Sequence, residues 1–99
     1  MKLKDFTFVI VSFRSEELIF KCLKYLPSQS NKIVIENSNN LELKFKLEKK
    51  FKNINCYVMK ENLGYGKANN FGIKKAKTKY VFIINPDVIL NIKNFLKII

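Results

Sequence analysis

Residues 62–88 have the sequence NLGYGKANNFGIKKAKTKYVFIINPDV, and the interpretation of the rest of the chain depends on this stretch. It contains all three glycines of the sequence, Gly64, Gly66 and Gly72. Because glycine has no β-carbon, this clustering concentrates backbone freedom in one loop and in the helix that follows it. A loop of this kind lets a ligand approach the backbone closely, so we predict a binding loop here.

The second half of the stretch combines an apolar run with a polar turn. Residues 80–84, YVFII, are typical of a strand that is buried on both faces of a parallel sheet. Pro86 cannot donate a hydrogen bond to a neighbouring strand, so we expect the strand to end before Asn85. Asn85 and Asp87 then lie at the carboxyl end of the strand, where open α/β sheets bind ligands.

Composition indicates one small globular domain that spans residues 1–99, with 47% hydrophobic residues. No apolar run approaches the roughly 18 residues of a membrane span. The basic, apolar amino terminus lacks a small-residue cleavage site, which favours a buried first strand over a signal peptide. Cys22 and Cys56 lack C-x-x-C spacing and are predicted to be reduced core residues of a cytosolic protein.

Two features of the charged residues restrict the chemistry. The sequence has no histidine, which excludes histidine-based acid catalysis, nucleophile–histidine pairs and histidine-containing metal sites. The formal net charge is +11. Solvated lysines on helix faces explain this charge, and attraction to phosphates or to an anionic membrane surface is the functional alternative. Nucleic acid is not an expected partner, because zinc-finger spacing and an aromatic RNP-type strand are both missing.

Outward from the glycine stretch, strands alternate with helices. Strands are predicted at 6–13, 32–35, 54–59 and 80–84, and helices at 16–26, at 68–79 and from 92 onward. Residues 41–52 are ambiguous, because they alternate as a strand does but also place leucines four residues apart. The need for a crossover between two buried parallel strands favours a helix. The order βαβαβαβα predicts a doubly wound, mostly parallel, four-stranded sheet.

The loops after the strands carry the polar candidates. Ser12, Phe13 and Arg14 lie at the carboxyl end of the first strand, and Glu36 follows the second. Because parallel strands end at the same edge of a sheet, we expect a ligand there to meet Arg14, Glu36 and Asp87 together. Simple solvation is an equal alternative for Arg14 and for Glu36.

The segments NLGYGKANNFG and YVFIINPDV, which follow a VIVSF strand and an IVIEN strand, resemble family 2 glycosyltransferases of the GT-A fold, especially rhamnosyltransferase-like members. The resemblance covers residues 6–99 and implies a Rossmann-like, three-layer GT-A sandwich. The positions that match the family motifs are Asn62, Gly64, Tyr65, Gly66, Ala68, Asn70, Gly72, Asn85, Pro86 and Asp87.

This resemblance implies a site for a UDP- or dTDP-sugar. Its donor-binding residues would be Ser12, Phe13, Arg14, Glu36, Asn62, Gly64, Tyr65, Gly66, Lys67, Asn70, Asn85 and Asp87. Asp87 would take the place of the carboxylate of a D-x-D-like motif and hold Mg²⁺ or Mn²⁺ on the donor diphosphate, in keeping with the oxygen ligands that Mg²⁺ prefers. Asn85 would bond the ribose or a metal-bound water, and Glu36 the pyrimidine ring. A simple strand-ending turn is the alternative for N-P-D.

The chain departs from the family pattern in two respects. After the second strand the family usually has D-N-x-S-x-D, whereas this chain has Glu36-Asn37-Ser38-Asn39-Asn40-Leu41. Family members also continue into residues that supply the acceptor site and the catalytic base. We therefore expect a truncated, donor-binding half of the domain, inactive alone, which leaves a strand edge and the helix face of Ile92, Phe95, Leu96 and Ile99 partly uncovered.

The resemblance makes sugar transfer to an acceptor hydroxyl the leading hypothesis, with a glycan or lipid-linked acceptor in bacterial glycan or cell-surface polysaccharide synthesis. A nucleotide-binding module without catalysis is one alternative. A lysine-rich domain that binds anionic polymers or membranes is another. The expected location is the cytoplasm, including peripheral association with the inner face of the membrane.

Overall fold

The computed structural model describes residues 2–98, which form four strands and four helices. The strands are β1 (Phe6–Ser12), β2 (Asn31–Glu36), β3 (Ile54–Val58) and β4 (Tyr80–Ile84). The helices are α1 (Glu16–Lys24), α2 (Leu41–Lys50), α3 (Tyr65–Lys75) and α4 (Ile92–Ile98). A short 3-10 helix, Leu3–Asp5, precedes β1. Every helix within the described residues is too short or too polar to span a lipid bilayer.

The strands form one sheet in the order β3-β2-β1-β4, and every neighbouring pair is parallel. The predicted doubly wound α/β architecture is confirmed, with a sheet that is wholly parallel. The chain adds β2 and β3 on one side of β1 and then crosses to add β4 on the other side. The strand order therefore reverses at β1, next to β4, and this is the position at which open α/β sheets form a ligand crevice.

The two faces of the sheet are covered unequally. Phe6, Phe8 and Ile10 of β1 face a large core that α1, α2 and α4 cover. Val9 and Val11 of the same strand face a smaller core under α3. Successive side chains of a strand point to opposite faces, so a strand that is buried on both faces must be apolar throughout. Helices on both faces give the predicted three layers.

Helix α3 approaches the sheet closely because of one glycine. A β-carbon on Gly72 would lie 2.6 Å from Cγ1 of Val9 and 3.4 Å from Cγ1 of Ile35. A larger residue would therefore push α3 away from the sheet. The helix begins earlier than predicted, at Tyr65, because Gly64 precedes it with φ 81° and serves as its N-cap.

Helix α2 resolves the ambiguous segment. Leu43 and Leu47 are both buried at helical spacing, and the Asn40 side chain accepts a hydrogen bond from the Leu43 backbone N–H at 3.0 Å. This cap starts the helix after β2, so the crossover argument correctly favoured helix over strand.

Helix α4 packs through an aromatic cluster. The Phe95 ring lies 5.6 Å from Phe6, 5.5 Å from Phe8 and 5.1 Å from Phe82, between ring centroids. Phe95 is therefore buried, contrary to the expectation that it is partly uncovered. Leu96 is exposed as expected.

The uncovered apolar surface continues onto the sheet. Strand β4 is an edge strand, and Ile83 on it is exposed. Ile92 is half-buried. Ile99, the last member of the predicted helix face, lies outside the described residues.

Burial shifts the pKa of three side chains, Lys32, Cys22 and Cys56. The Lys32 ammonium donates to the carbonyls of Ser28, Ser30 and Lys52 at 3.4, 3.0 and 3.0 Å. Burial lowers the pKa of Lys32 to about 8. Cys22 and Cys56 are free and buried, as the sequence predicts. Burial is the main cause that raises the pKa of their thiols, to about 11 for Cys22 and about 12 for Cys56.

Candidate functional site

An open cleft of about 420 Å³ lies where β1 and β4 end and α3 begins. Five of the sequence-predicted site residues line it: Phe13, Asn62, Gly64, Tyr65 and Asn85. Its other lining residues are Val11, Ser15, Asn37 and Pro86. The cleft therefore coincides with the point at which the strand order reverses.

Asn37 organises the wall of this cleft. Its side-chain N–H donates to the Asn62 side chain at 2.8 Å, and its side-chain oxygen accepts from the Leu63 N–H at 2.9 Å. Its backbone N–H donates to the Ser12 carbonyl at 2.7 Å. The Asn62 oxygen also accepts from the Gly64 N–H at 2.9 Å. Asn37 thus holds together the ends of β1 and β2 and the loop before α3.

Sequence reasoning did not identify Asn37 as a site residue. It is 2% exposed, and both ends of its amide are hydrogen-bonded, which is the usual condition of a buried polar group. The signal in the sequence that could have identified Asn37 is the polar run directly after a buried strand. The partners of Asn37 lie about 25 positions away along the chain, where local patterns give no information.

The first turn of α3 is open to solvent. Gly64, Tyr65, Gly66 and Lys67 are all exposed. A β-carbon on Gly66 would meet no atom within 4 Å. This turn contains no acidic residue, whereas the first turn of α1 contains two and that of α2 contains one. Backbone N–H groups at a helix start attract anions, so this turn is suited to a phosphate.

A side-chain hydrogen bond connects α3 to the turn after β4. The Tyr65 hydroxyl donates to the side-chain oxygen of Asn85 at 2.6 Å. The turn is closed by the Val88 N–H, which donates to the Asn85 carbonyl at 3.0 Å. Both sides of the cleft are therefore joined across its opening.

Asp87 lies on the same turn but does not line the cleft. It is exposed, and its negative charge adds to the effect of burial that raises the pKa of Cys22 on α1. Within residues 2–98, no group of three or more histidine, cysteine or acidic side chains could hold a metal ion. Asp87 is thus an accessible carboxylate that belongs to no cluster of metal-binding side chains in this part of the chain.

Glu36 is placed very differently. It is 1% exposed, and its carboxylate accepts hydrogen bonds from the backbone N–H groups of Ser38 and Asn40 at 2.9 and 2.8 Å. The Ser38 hydroxyl donates a further bond to it. Glu36 therefore stabilises the shape of the loop after β2 from within.

Arg14 lines a second cleft, of about 260 Å³, beside the first. The Arg14 guanidinium lies 5.1 Å from the centre of the Phe13 ring. Its backbone has φ 49°, and its N–H donates to the Ser38 hydroxyl at 3.1 Å. The two clefts share Phe13, Asn37 and Asn62, so they form one groove.

Four further predicted residues, Ser12, Gly66, Lys67 and Asn70, do not line this groove. Ser12 is fully buried, and its hydroxyl lies 3.2 Å from that of Ser15. Asn70 is exposed on the second turn of α3. The expected meeting of Arg14, Glu36 and Asp87 does not occur in either cleft, because β1 separates the ends of β2 and β4 and Glu36 is inside its loop.

Comparisons with known proteins agree with this architecture. The crystal structure of S. aureus TarS 1–349 superposes with a TM-score of 0.79 at 20% identity, over 94% of this chain and 30% of that chain. The crystal structure of S. aureus TarS gives a TM-score of 0.71 at 20% identity, over 93% of this chain and 19% of that chain. This chain thus spans less than a third of those proteins, and the likeness shows a shared fold. No curated protein sequence matches it.

The family comparison extends over almost the whole chain. The model of glycosyl transferase family 2 matches residues 7–99, which include the glycine loop, the N-P-D turn and all four strands except the first residue of β1. This is the region on which the sequence motifs indicated a resemblance. The chain belongs to glycosyl transferase family 2, with the GT-A-like Rossmann architecture expected of it.

Proposed function

We propose that this chain is the donor-binding part of a glycosyltransferase that transfers a sugar from a UDP- or dTDP-sugar to a hydroxyl of a glycan or lipid-linked acceptor. The observation that carries the proposal is the groove at the β1/β4 edge, with the Asn37 network on one wall and the open first turn of α3 on another. The assignment of residues 1–99 to one donor-binding domain belongs to the same proposal.

The diphosphate is assigned to the start of α3. The exposed N–H groups of this turn and the Lys67 ammonium provide positive potential, and no acidic side chain in the turn competes for it. Gly66 leaves open space beside the backbone. Asn70 is assigned to the same side, one turn further along.

The nucleoside is assigned to the adjoining cleft. Phe13 is exposed and lines both clefts, so its ring offers an apolar surface to a base. Glu36 contributes by stabilising the loop that carries Asn37 and Ser38, rather than by offering a free carboxylate. Asn85 and Tyr65 are assigned to the ribose.

A divalent cation, Mg²⁺ or Mn²⁺, is assigned to Asp87, which lies on the turn after β4 beside the cleft rather than in its lining. Mg²⁺ is commonly bound by one or two carboxylates together with substrate phosphates, so one accessible carboxylate suits a site that the donor completes. Bound there, the cation would neutralise charge on the departing diphosphate. In the whole enzyme a general base would deprotonate the acceptor hydroxyl. We assign that role to no residue within 2–98.

Calorimetric titration with UDP and dTDP tests the donor site. Binding in the presence of Mn²⁺ should disappear with EDTA and in Asp87→Asn, and should persist in the control Glu42→Gln, which removes an exposed carboxylate on α2. Equal, metal-independent binding by the wild type and Asp87→Asn would remove Asp87 from the site. Binding without sugar transfer by the full-length enzyme would instead indicate a nucleotide-binding module.

A glycine pair tests the loop separately. Gly66→Val should weaken nucleotide binding with little change in melting temperature, because its β-carbon meets no protein atom. Gly72→Val should lower stability by about 1–3 kcal/mol, because its side chain would overpack the core at Val9. Normal nucleotide binding by Gly66→Val would show that the loop is only a connection.

A further inference from the structure

A second surface with an unusual composition lies at the other edge of the sheet. Helices α1 and α2 cross back over the parallel strands, so their last turns lie where the strands begin. A cavity of about 340 Å³ is found there. Three aromatic and three basic residues line it, and we call them the basic–aromatic surface: Phe20, Tyr25, Phe51, Lys21, Lys24 and Lys50.

The charge of this surface is not neutralised by acidic side chains. No acidic residue lines the cavity, and within residues 2–98 none of Lys21, Lys24 and Lys50 forms an ion pair. By contrast, Lys44 and Lys46 of α2 pair with glutamates. All three lysines lie in the last turn of α1 or α2, where the helix dipole favours positive charge, so two helix ends concentrate this charge around one cavity.

The aromatic rings restrict which anion fits. The Lys50 ammonium lies 5.4 Å from the centre of the Phe20 ring and 5.9 Å from that of Phe51. The Lys24 ammonium lies 5.9 Å from the centre of the Tyr25 ring. Each ammonium group lies near one face of its ring, so a nucleobase that stacks on that face would have to displace a lysine side chain. This arrangement favours a ligand that binds through its phosphates over one that binds by base stacking.

An apolar surface continues from the basic one. Tyr25 is 44% exposed and also lines a neighbouring cavity of about 590 Å³, together with Ile89, Leu90 and Ile92. Ile89 is 48% exposed. Lysines beside exposed tyrosine and aliphatic side chains are the combination that binds anionic lipid headgroups and the adjacent hydrocarbon boundary.

We propose that the basic–aromatic surface binds the anionic phospholipid surface of a membrane. The three lysines contact headgroup phosphates, and Tyr25 and Ile89 contact the boundary between headgroups and acyl chains. The three lysines are at the edge of the sheet opposite the groove, so the proposal does not depend on the function assigned to the groove.

Co-sedimentation with vesicles tests the proposal. The wild-type chain should bind vesicles of equal parts phosphatidylcholine and phosphatidylglycerol, and not phosphatidylcholine alone. Since one lysine near an anionic surface changes affinity roughly fivefold, the triple variant Lys21→Ala, Lys24→Ala, Lys50→Ala should bind roughly 100-fold more weakly. The control triple variant Lys74→Ala, Lys77→Ala, Lys79→Ala has the same net charge and should bind within a few-fold of the wild type.

Further measurements separate other ligands and control for folding. Thermal melts check that each variant is folded, and the double variant Lys21→Ala, Lys24→Ala keeps Lys50 over the phenylalanine rings if the triple variant is unstable. Tyr25→Ala should retain less binding than the wild type at high salt. The proposal is overturned if the two triple variants lose binding equally, or if Tyr25→Ala binds vesicles as well as the wild type at high salt. It is also overturned if the wild type binds single-stranded DNA more tightly than vesicles, or binds soluble glycerophosphoglycerol as tightly.

Discussion

The end of β2 and the loop after β4 each carry a carboxylate at the same edge of the sheet, and the two carboxylates have opposite roles. Glu36 is buried and accepts three hydrogen bonds from its own loop. Asp87 is exposed, and within residues 2–98 no hydrogen bond or ion pair occupies its carboxylate. The first carboxylate stabilises the fold, and the second is accessible to a ligand.

This difference shows why position at a strand end is not sufficient evidence for a binding role. A carboxylate has about four sites for hydrogen-bond donors, and Glu36 already uses three of them without access to solvent. Asp87 retains all of its capacity on the surface. Ligand binding should therefore depend on Asp87 directly, and on Glu36 only through the loop.

The largest effect is expected from Glu36→Ala. This change removes three hydrogen bonds and leaves the half-buried N–H groups of Ser38 and Asn40 without this acceptor, so stability should fall by about 2–3 kcal/mol in urea unfolding. Glu36→Gln should lose much less, because its amide can still accept from both N–H groups and donate to the Ser38 hydroxyl. If Glu36→Ala is as stable as the wild type, the loop does not depend on this carboxylate.

A smaller loss is expected from Asn37→Ala. The change removes the bonds to Asn62 and Leu63 that connect the loop after β2 to the glycine loop, so stability should fall by about 2 kcal/mol. Nucleotide binding should weaken in parallel, because the start of α3 loses its support. Unchanged affinity in a destabilised variant would separate the network from the donor site.

Tyr65→Phe should have a modest effect, because its hydrogen bond to Asn85 is exposed. We expect stability to change by no more than about 1 kcal/mol. Nucleotide affinity should fall measurably in calorimetry, since the turn after β4 loses its connection to α3. A stability loss as large as that of Asn37→Ala would mean that the two loops are equally part of the folded core.

The smallest effect on stability is expected from Asp87→Ala. An exposed side chain without bonds in the described part of the chain should change stability by no more than about 0.5 kcal/mol. The melting temperature without ligand should be unchanged, and the stabilisation that UDP and Mn²⁺ give the wild type should be lost. A clear fall in stability without ligand would place Asp87 with Glu36 as a structural residue.

The fold could be predicted largely from sequence because its signals are local. The predicted bounds of β4 match the structure, and the helix favoured for residues 41–52 is present as α2. The site was less predictable, because it depends on strand order and on bonds between distant residues. Patterns along the chain did not place β4 beside β1, nor did they show that Asn37 binds Asn62.

The same limit applies to burial at the ends of elements. Glu36 looked solvated because it is charged and follows a strand, and only the path of the next four residues encloses it. Phe95 was expected to be partly uncovered because the resemblance implied that further structure of a longer domain covers this helix face. Its burial depends on three rings from β1 and β4.

The buried Lys32 links folding to proton release. Its three carbonyl partners favour the charged form, yet burial lowers its pKa to about 8, below the roughly 10.4 of an unfolded lysine. Between about pH 8 and about pH 10.4 the unfolded chain holds a proton on Lys32 that the folded chain has lost. Raising the pH through this range therefore increases the contribution of Lys32 to the free energy of unfolding. Refolding in this range should therefore acidify a weakly buffered solution.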